Sequence, residues 1–196
     1  MKKMKKTTLF LLLIIATTPL MKAQVMKAGG GLAYGSGFYF NNYEHSDYRS
    51  GHIAAFLTGS YEINDMIHIS PSFTVFFPNI TKSGDDYKMV ISSAMFDING
   101  HYVFNYYDNY EFYGLAGLNI LMAWEKTKAP GIDVFRENDN ALGLNIGAGT
   151  LMKVTDQFDF FVEAKYIISK YDQFMFNAGV LFNIDWLINN EASASD

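Results

Sequence analysis

The chain of 196 residues carries 20 acidic and 15 basic residues and no cysteine, for a net charge of −5 at pH 7. The lack of cysteine excludes a disulfide framework and a lipid-modified N-terminal cysteine, and the acidic balance argues against a nucleic-acid partner, which requires a basic face. With 17 phenylalanines, 13 tyrosines, 16 glycines and only four prolines, the composition favours a single all-β domain.

Residues 1–23 have the pattern of a cleavable secretory signal peptide. Four lysines between positions 2 and 6 precede an apolar run over residues 8–20, and Ala23 with Gln24 offers a cleavage site, although Met21 stands where a small side chain is usual. The apolar run, about 13 residues long, is too short to span a membrane as a helix. Without this segment and its five lysines, ten basic residues remain against 20 acidic ones, so the secreted chain is more acidic than the whole.

From residue 24 onward, eight segments alternate apolar and polar side chains, as strands with two different faces do. They cover residues 26–36, 52–63, 66–77, 88–104, 111–125, 141–154, 158–169 and 173–184. Tight turns are predicted at 64–65, 105–110 and 155–157, and they alternate with long polar loops at 37–51, 78–87 and 126–140; only the short link 170–172 breaks this alternation. An even number of long strands, with short turns at one end and long loops at the other, is typical of outer-membrane barrels.

The last segment shows the two faces most clearly. One face carries Phe174, Phe176, Ala178, Val180, Phe182 and Ile184, and the other carries Gln173, Met175, Asn177, Gly179, Leu181 and Asn183. Periodicity alone does not decide which face lies inside, so a soluble barrel with a Phe-rich core and a membrane barrel with a Phe-rich exterior both fit. Long strands, small and polar residues opposite the aromatic face, and aromatic residues at the strand ends favour the membrane barrel.

The same segment ends in a short motif. Asn177, Gly179, Phe182 and Ile184 form a polar-x-Gly-x-x-hydrophobic-x-hydrophobic pattern. With the eight segments, it makes the chain resemble the small OmpA/OmpX-like bacterial outer-membrane barrels over most of residues 24–184. The resemblance implies an eight-stranded antiparallel up-and-down transmembrane β-barrel with both termini in the periplasm, whose last strand is presented to the outer-membrane barrel assembly machinery. We expect a monomer among outer-membrane lipids with no cofactor, and residues 185–196 as a short periplasmic tail.

A barrel of eight strands is just wide enough for its own side chains to fill the interior. We therefore expect a polar network at mid-depth in the lumen, made by Thr58, Ser72, Asn119, Asn145, Glu163, Lys165 and Asn177. Nearer the periplasmic rim we expect Lys27, Glu62, Asp97 and Lys153, with Glu125 nearer the outside. Buried charges need partners, which favours a filled interior over a narrow channel.

A metal site is an alternative hypothesis that rests on two histidines. If the third and fourth segments turn near residues 82–83, His68 lies opposite about Asp97, with His101 one or two pairs further down and Glu62 nearby. Two imidazoles and two carboxylates suit zinc or another transition metal. Against this, lumen histidines more commonly form hydrogen bonds to acids.

A catalytic pair is the second alternative hypothesis. His68 and Ser70 place a base and a hydroxyl two residues apart on one face, as nucleophilic catalysis requires, and some lipid A deacylases carry such a pair on a similar barrel. Here the pair faces the interior, away from the outer leaflet.

The first long loop begins with three aromatic residues, Phe38, Tyr39 and Phe40. They either extend the first strand beyond the bilayer or form a contact surface for a partner. The sequence predicts a non-enzymatic integral outer-membrane barrel with a structural or surface-interaction role. The alternatives are a narrow small-solute channel, a lipid-modifying enzyme of the lipid A deacylase type, and a soluble periplasmic lipocalin-like binder.

Overall fold

A computed structural model describes residues 26–42, 48–83, 87–129 and 132–184. In chain order the strands are β1 (Met26–Gly35), β2 (Phe38–Tyr39), β3 (Arg49–Ser50), β4 (Ile53–Asn64), β5 (Ile67–Ser83), β6 (Tyr87–Tyr107), β7 (Tyr110–Ala129), β8 (Ile132–Lys153), β9 (Phe158–Ser169) and β10 (Gln173–Asn183). The predicted signal peptide and C-terminal tail lie outside the described residues.

Eight of these strands close into one antiparallel barrel. Each of β4 to β10 pairs with its chain neighbour, and both β4 and β10 pair with β1. The predicted eight-stranded antiparallel up-and-down barrel is therefore confirmed. The short strands β2 and β3 pair only with each other, within the loop that follows β1.

The seam between β1 and β10 brings backbone against backbone. A Cβ atom on Gly29 would lie 1.8 Å from the carbonyl oxygen of Val180, and one on Gly31 would lie 2.0 Å from that of Ala178. Gly31 is paired directly with Gly179. Only glycine allows strands to approach this closely, so the glycines of β1 are required by barrel closure.

Strands β5 to β8 are longer than predicted, and most of the predicted loops 78–87 and 126–140 is strand. The loop prediction was wrong because these extensions carry polar side chains on both faces, which removes the alternation that marks a half-buried strand. Beyond the pairs Ala54 with Phe76 and Gly143 with Ser169, the four strands continue with no described strand paired to either edge. We call residues 77–83, 87–92, 124–129 and 132–142 the projecting sheet.

The barrel is apolar outside and polar inside. Leu57 and Leu142 are 70% and 76% exposed on the outer face, whereas Asp97 and Lys165 are 0% and 1% exposed in the lumen. The outer face also carries Leu32, Phe73, Ile98, Leu118, Leu144, Ile168 and Phe176. This arrangement reverses the burial pattern of a soluble protein. Among the described residues, no helix is long and apolar enough to cross a membrane.

Candidate functional site

A buried carboxylate near the middle of the barrel collects side chains from five consecutive strands. Asp97 on β6 accepts hydrogen bonds from Asn119 on β7 at 2.7 Å and from Asn145 on β8 at 2.8 Å. Lys165 on β9 and Ser72 on β5 complete the set, at 3.0 and 3.2 Å. Asp97 was predicted nearer the rim, which is wrong because β6 continues well past it, to Tyr107. We call these five residues the Asp97 node.

A second buried carboxylate, that of Glu163, lies on β9 two residues before Lys165. Glu163 accepts hydrogen bonds from Asn177 at 3.2 Å and from the Tyr113 hydroxyl at 3.4 Å. Its Oε2 atom lies 3.6 Å from Nε2 of His101, whose ring stacks on Tyr113 with centroids 4.4 Å apart. The network expected from the sequence omits Tyr113, although its place on the same face as Glu111 marks it as inward. Glu163 and Lys165 share one face of β9, so the two carboxylate clusters form adjacent layers of one plug.

Ion pairs occupy the tight-turn end of the lumen. Lys27 lies 2.8 Å from both Glu62 and Asp159, and Lys153 lies 2.6 Å from Glu111. Lys27 and Asp159 are both buried, and their mutual pairing supplies the partners that buried charges require.

The loop after β1 folds into the opposite mouth of the barrel. Gly37, with a φ of +83°, turns the chain inward, and Phe38 and Phe40 become 3% and 0% exposed. Their predicted roles, as an extension of β1 or as a contact surface, are wrong because the inner wall here is apolar and removes their rings from water. That wall includes Phe76, Met89, Ile91, Met95, Leu121, Ile167 and Met175. We call β2, the 3₁₀ turn Phe40–Asn42 and β3 the inner loop.

Tyr171, in the turn between β9 and β10, fastens the inner loop. Its ring lies 4.9 Å from that of Phe38, and its hydroxyl accepts a hydrogen bond from the Asn41 amide at 3.0 Å. The same hydroxyl donates to Asp139, which also pairs with Lys170. Burial raises the pKa of Asp139, but the hydrogen bonds from Lys170 and Tyr171 outweigh it and hold this pKa below its ordinary value.

Little space remains at mid-depth in the barrel, whereas a larger recess lined by Lys27, Lys153 and Asp159 opens at the tight-turn end. A cavity of about 30 Å³ lies among His68, His101, Tyr113, Glu163 and their neighbours. Since a buried water occupies roughly 10–15 Å³ on this measure, the cavity has room for about two waters. His101 Nε2, which borders the cavity, has no hydrogen-bond partner among the described protein atoms. The lumen at this level is therefore filled by side chains and not open.

The two lumen histidines are closer together than predicted. His68 is paired directly with His101 and, on its other side, with Glu62. The predicted register, with His68 opposite Asp97, is wrong because β5 extends to Ser83 and carries an irregularity between Phe76 and Asn79. Within the described part of the chain, no group of three or more potential ligands is arranged to hold a metal ion.

Ser70 and Thr58 are used in local structure. The Ser70 hydroxyl donates to the carbonyl of Gly59 at 2.8 Å and lies 3.2 Å from the Thr58 hydroxyl. Thr58 also donates to the carbonyl of Pro71 at 3.1 Å, so it bridges β4 and β5 without reaching Asp97. His68 and Ser70 are both buried within the barrel, a position that gives no access to a lipid outside it.

The residues of the last-strand motif divide between the two faces of β10. Asn177 and Gly179 face the lumen, and Phe182 is half exposed on the outer face. Gly179 and Phe182 pair with Gly31 and Ala28 of β1, and Ile184 directly follows the strand. The motif thus lies along the seam that closes the barrel.

No protein-family model matches the sequence, and no curated protein is similar to it in sequence. Solved structures are similar in fold. Ail, the attachment invasion locus protein of Yersinia pestis, in complex with the heparin analogue sucrose octasulfate, superposes with a TM-score of 0.58 at 17% identity, covering 81% of this chain and 98% of that one. The N-terminal β-barrel domain of Pseudomonas aeruginosa OprF gives 0.54 at 16% identity, covering 83% and 98%.

Neisserial surface protein A is a third similar structure, with a TM-score of 0.51 at 17% identity, covering 83% of this chain and 97% of that one. At such identities the likeness shows the fold alone. That fold is the small eight-stranded outer-membrane barrel, as the sequence resemblance predicted.

Proposed function

We propose that this chain is an integral outer-membrane barrel with a closed lumen, which acts through its structure and its surface and not as a conduit. One observation carries the proposal: large apolar side chains cover the outside of the barrel, while Asp97, Lys165 and Asn119 are buried inside it. Soluble proteins rarely expose continuous apolar surface beyond a few hundred Å². A lipid-facing apolar band around a polar interior is the defining pattern of transmembrane barrels.

The filled interior argues against the channel alternative. Three layers follow one another along the lumen. They are the ion pairs of Lys27, the Asp97 node with Glu163, and the apolar cluster that the inner loop forms around Phe40. A soluble lipocalin-like binder would need an internal apolar cavity for its ligand, and the space beside Glu163 has room for about two waters.

The proposal includes an orientation. Outer-membrane barrels have short periplasmic turns and longer extracellular loops, so the turn around Asp65 faces the periplasm and the projecting sheet faces outward. The last-strand motif, with Phe182 toward the lipid and Gly179 at the seam, is then available to the barrel assembly machinery while β10 is still unpaired.

Cell fractionation with a gel-mobility assay tests the proposal. We expect the chain in the outer-membrane fraction, migrating faster unboiled than boiled, because a closed barrel resists detergent until it is heated. Purified protein in planar bilayers is expected to give no lasting conductance steps. Recovery in the soluble periplasm would refute membrane residence, and stable openings altered by Lys165→Met would establish a channel instead.

A further inference from the structure

Five cations share the outer face of the projecting sheet. Lys82 is paired with Lys88, and Lys88 with Lys128, in one row across β5, β6 and β7. In the adjacent row, Lys126 is paired with Arg136 of β8. All five side chains are exposed. We call Lys82, Lys88, Lys126, Lys128 and Arg136 the basic ridge.

The acids of the same sheet whose side chains are described, Glu125, Glu137 and Asp139, point the other way. Glu125 and Glu137 are paired with each other on the inner face, and the Glu125 carboxylate accepts a hydrogen bond from Thr127 at 2.6 Å. None of the ion pairs among the described residues includes a cation of the basic ridge. Asp85 and Asp86, which lie between β5 and β6 in the sequence, and the side chain of Asp133 are outside the described part of the chain.

Such a ridge is unfavourable by itself. Like charges directly opposite on paired strands destabilise a sheet, because their Cβ atoms are only about 4.5–5.5 Å apart. Here two rows of like charges are adjacent, on a chain whose overall charge is negative. An external anion that spans neighbouring cations would remove this repulsion.

The position of the basic ridge indicates where that anion comes from. Trp124 lies on the same outer face of β7, in the next row below Lys126, and tryptophan marks the membrane–water boundary. Two residues advance a strand by about 7 Å, so at a tilt of about 45° the ridge stands roughly 5–10 Å beyond that boundary. This is the depth of the lipid headgroups.

The surface around Lys126 is shaped for a group with both polar and apolar parts. One groove is lined by Val90 and Val134 together with Lys88, Lys126 and Lys128. A second is lined by Trp124, Val90, Lys126 and Arg136, and Glu125 and Glu137 also contribute to its wall. Apolar side chains next to cations fit the junction between a lipid's phosphate and its acyl region better than they fit a freely soluble polyanion.

We propose that the basic ridge binds the phosphate groups of phosphorylated lipids in the outer leaflet, with the adjoining grooves in contact with their apolar parts. The inference rests on the proposed function, because only outer-membrane residence with the projecting sheet outward brings the ridge to that leaflet. It assigns the extension of β5 to β8 a role that barrel closure does not require.

Lipid binding to the folded barrel tests this proposal. The Trp186→Phe protein, whose remaining tryptophan is Trp124, is folded in zwitterionic phosphocholine micelles and titrated with bisphosphorylated lipid A while Trp124 fluorescence is recorded. We expect saturable binding that weakens with added salt. A basic residue near an anionic lipid surface contributes about a fivefold gain in affinity, so Lys88→Gln/Lys126→Gln/Arg136→Gln should weaken binding on the order of 100-fold.

Control measurements distinguish a lipid phosphate from a soluble anion. They also distinguish a failure of lipid binding from a failure of outer-membrane residence. Lys153→Gln removes a cation at the opposite end of the barrel and should leave lipid A affinity unchanged. Dephosphorylated lipid A and inorganic phosphate should bind at least tenfold more weakly than the bisphosphorylated lipid. Tighter binding of sucrose octasulfate than of lipid A, lost in the triple variant, would assign the ridge to a soluble polyanion and overturn the inference. Unchanged lipid A affinity in a triple variant that keeps its unboiled gel mobility would also overturn it, while outer-membrane residence would still stand.

Discussion

Breaking the buried ion pair of the Asp97 node should destabilise the barrel far more than breaking an exposed one. Asp97→Asn keeps the shape of the side chain but removes the negative charge beside Lys165, which is 1% exposed. One carboxylate oxygen also becomes an NH₂ group, which faces hydrogen-bond donors in either orientation of the amide. Asn119 and Asn145 donate to Oδ1 at 2.7 and 2.8 Å, and Lys165 and Ser72 donate to Oδ2. Leaving a buried cation without its partner costs about 3–5 kcal/mol, and we expect a loss of about 3 kcal/mol.

The double variant measures the interaction free energy between Asp97 and Lys165. Lys165→Met alone leaves Asp97 with three neutral donors and should cost about 1–3 kcal/mol. In Asp97→Asn/Lys165→Met no unpaired charge remains, so the double variant should be more stable than the sum of the single losses by about 1–3 kcal/mol. Lys170→Met is the matched control, because its side chain is 43% exposed and such pairs contribute about 0–1 kcal/mol.

The assay is reversible urea unfolding in phosphatidylcholine vesicles, followed by tryptophan fluorescence and by gel mobility without boiling. If Asp97→Asn lies within about 1 kcal/mol of the parent protein, or if the double variant is additive, the carboxylate is not the centre of the network. If Lys170→Met lowered the free energy of unfolding as much as Asp97→Asn, burial would not determine the cost of breaking an ion pair in this barrel.

Three further predictions concern other parts of the structure. Phe176→Arg, at mid-barrel on the lipid face, should cost about 2–4 kcal/mol and Tyr102→Arg, near a strand end, about 0–1 kcal/mol; equal costs would contradict a lipid-facing exterior. Gly31→Val should abolish the fast-migrating form because its side chain meets backbone across the seam, whereas Gly59→Ala, whose Cβ would make only ordinary van der Waals contacts at 3.7 Å, should not. The lowered pKa of Asp139 means that its hydrogen bonds stabilise the inner loop above the ordinary aspartate pKa and are lost as the pH falls below about 4. Amide exchange in the inner loop should therefore be accelerated by acid beyond the usual pH dependence, and Asp139→Asn should remove that excess.

The alternation along each barrel strand was sufficient to predict the barrel and the direction of most side chains. In β10, for example, Phe176 faces outward and Asn177 inward, because period-two patterning fixes side-chain direction wherever one face is buried. The register between neighbouring strands was not predictable in the same way. It depends on the length of the turn after Ser83 and on the irregularity next to Phe76. Pro78 was the one available signal, since proline within a strand marks an edge or a bulge.

Two features were missed because local patterning does not contain them. The basic ridge lies on strands whose faces are both polar, so Lys126 and Arg136 looked like loop residues until their pairing was known. The inner loop combines aromatic and polar residues, and its fold depends on an apolar wall built by distant strands, from Met89 on β6 to Met175 on β10. Tertiary surroundings, and not sequence neighbours, decide where Phe38 and Phe40 are buried.

Glycines face each other at the centre of the seam between β1 and β10, and this divides the formation of the barrel into two steps. The Asp97 node is made wholly by β5 to β9, which are contiguous in the chain and each paired with the next as a hairpin. At the centre of the seam Gly31 faces Gly179, so no side chain there has to find a rotamer before the ends meet. It follows that the polar plug can be assembled while the ring is still open. The final joining of the first strand to the last then requires only backbone alignment, so a change in the plug and a change in the seam should alter different stages of insertion.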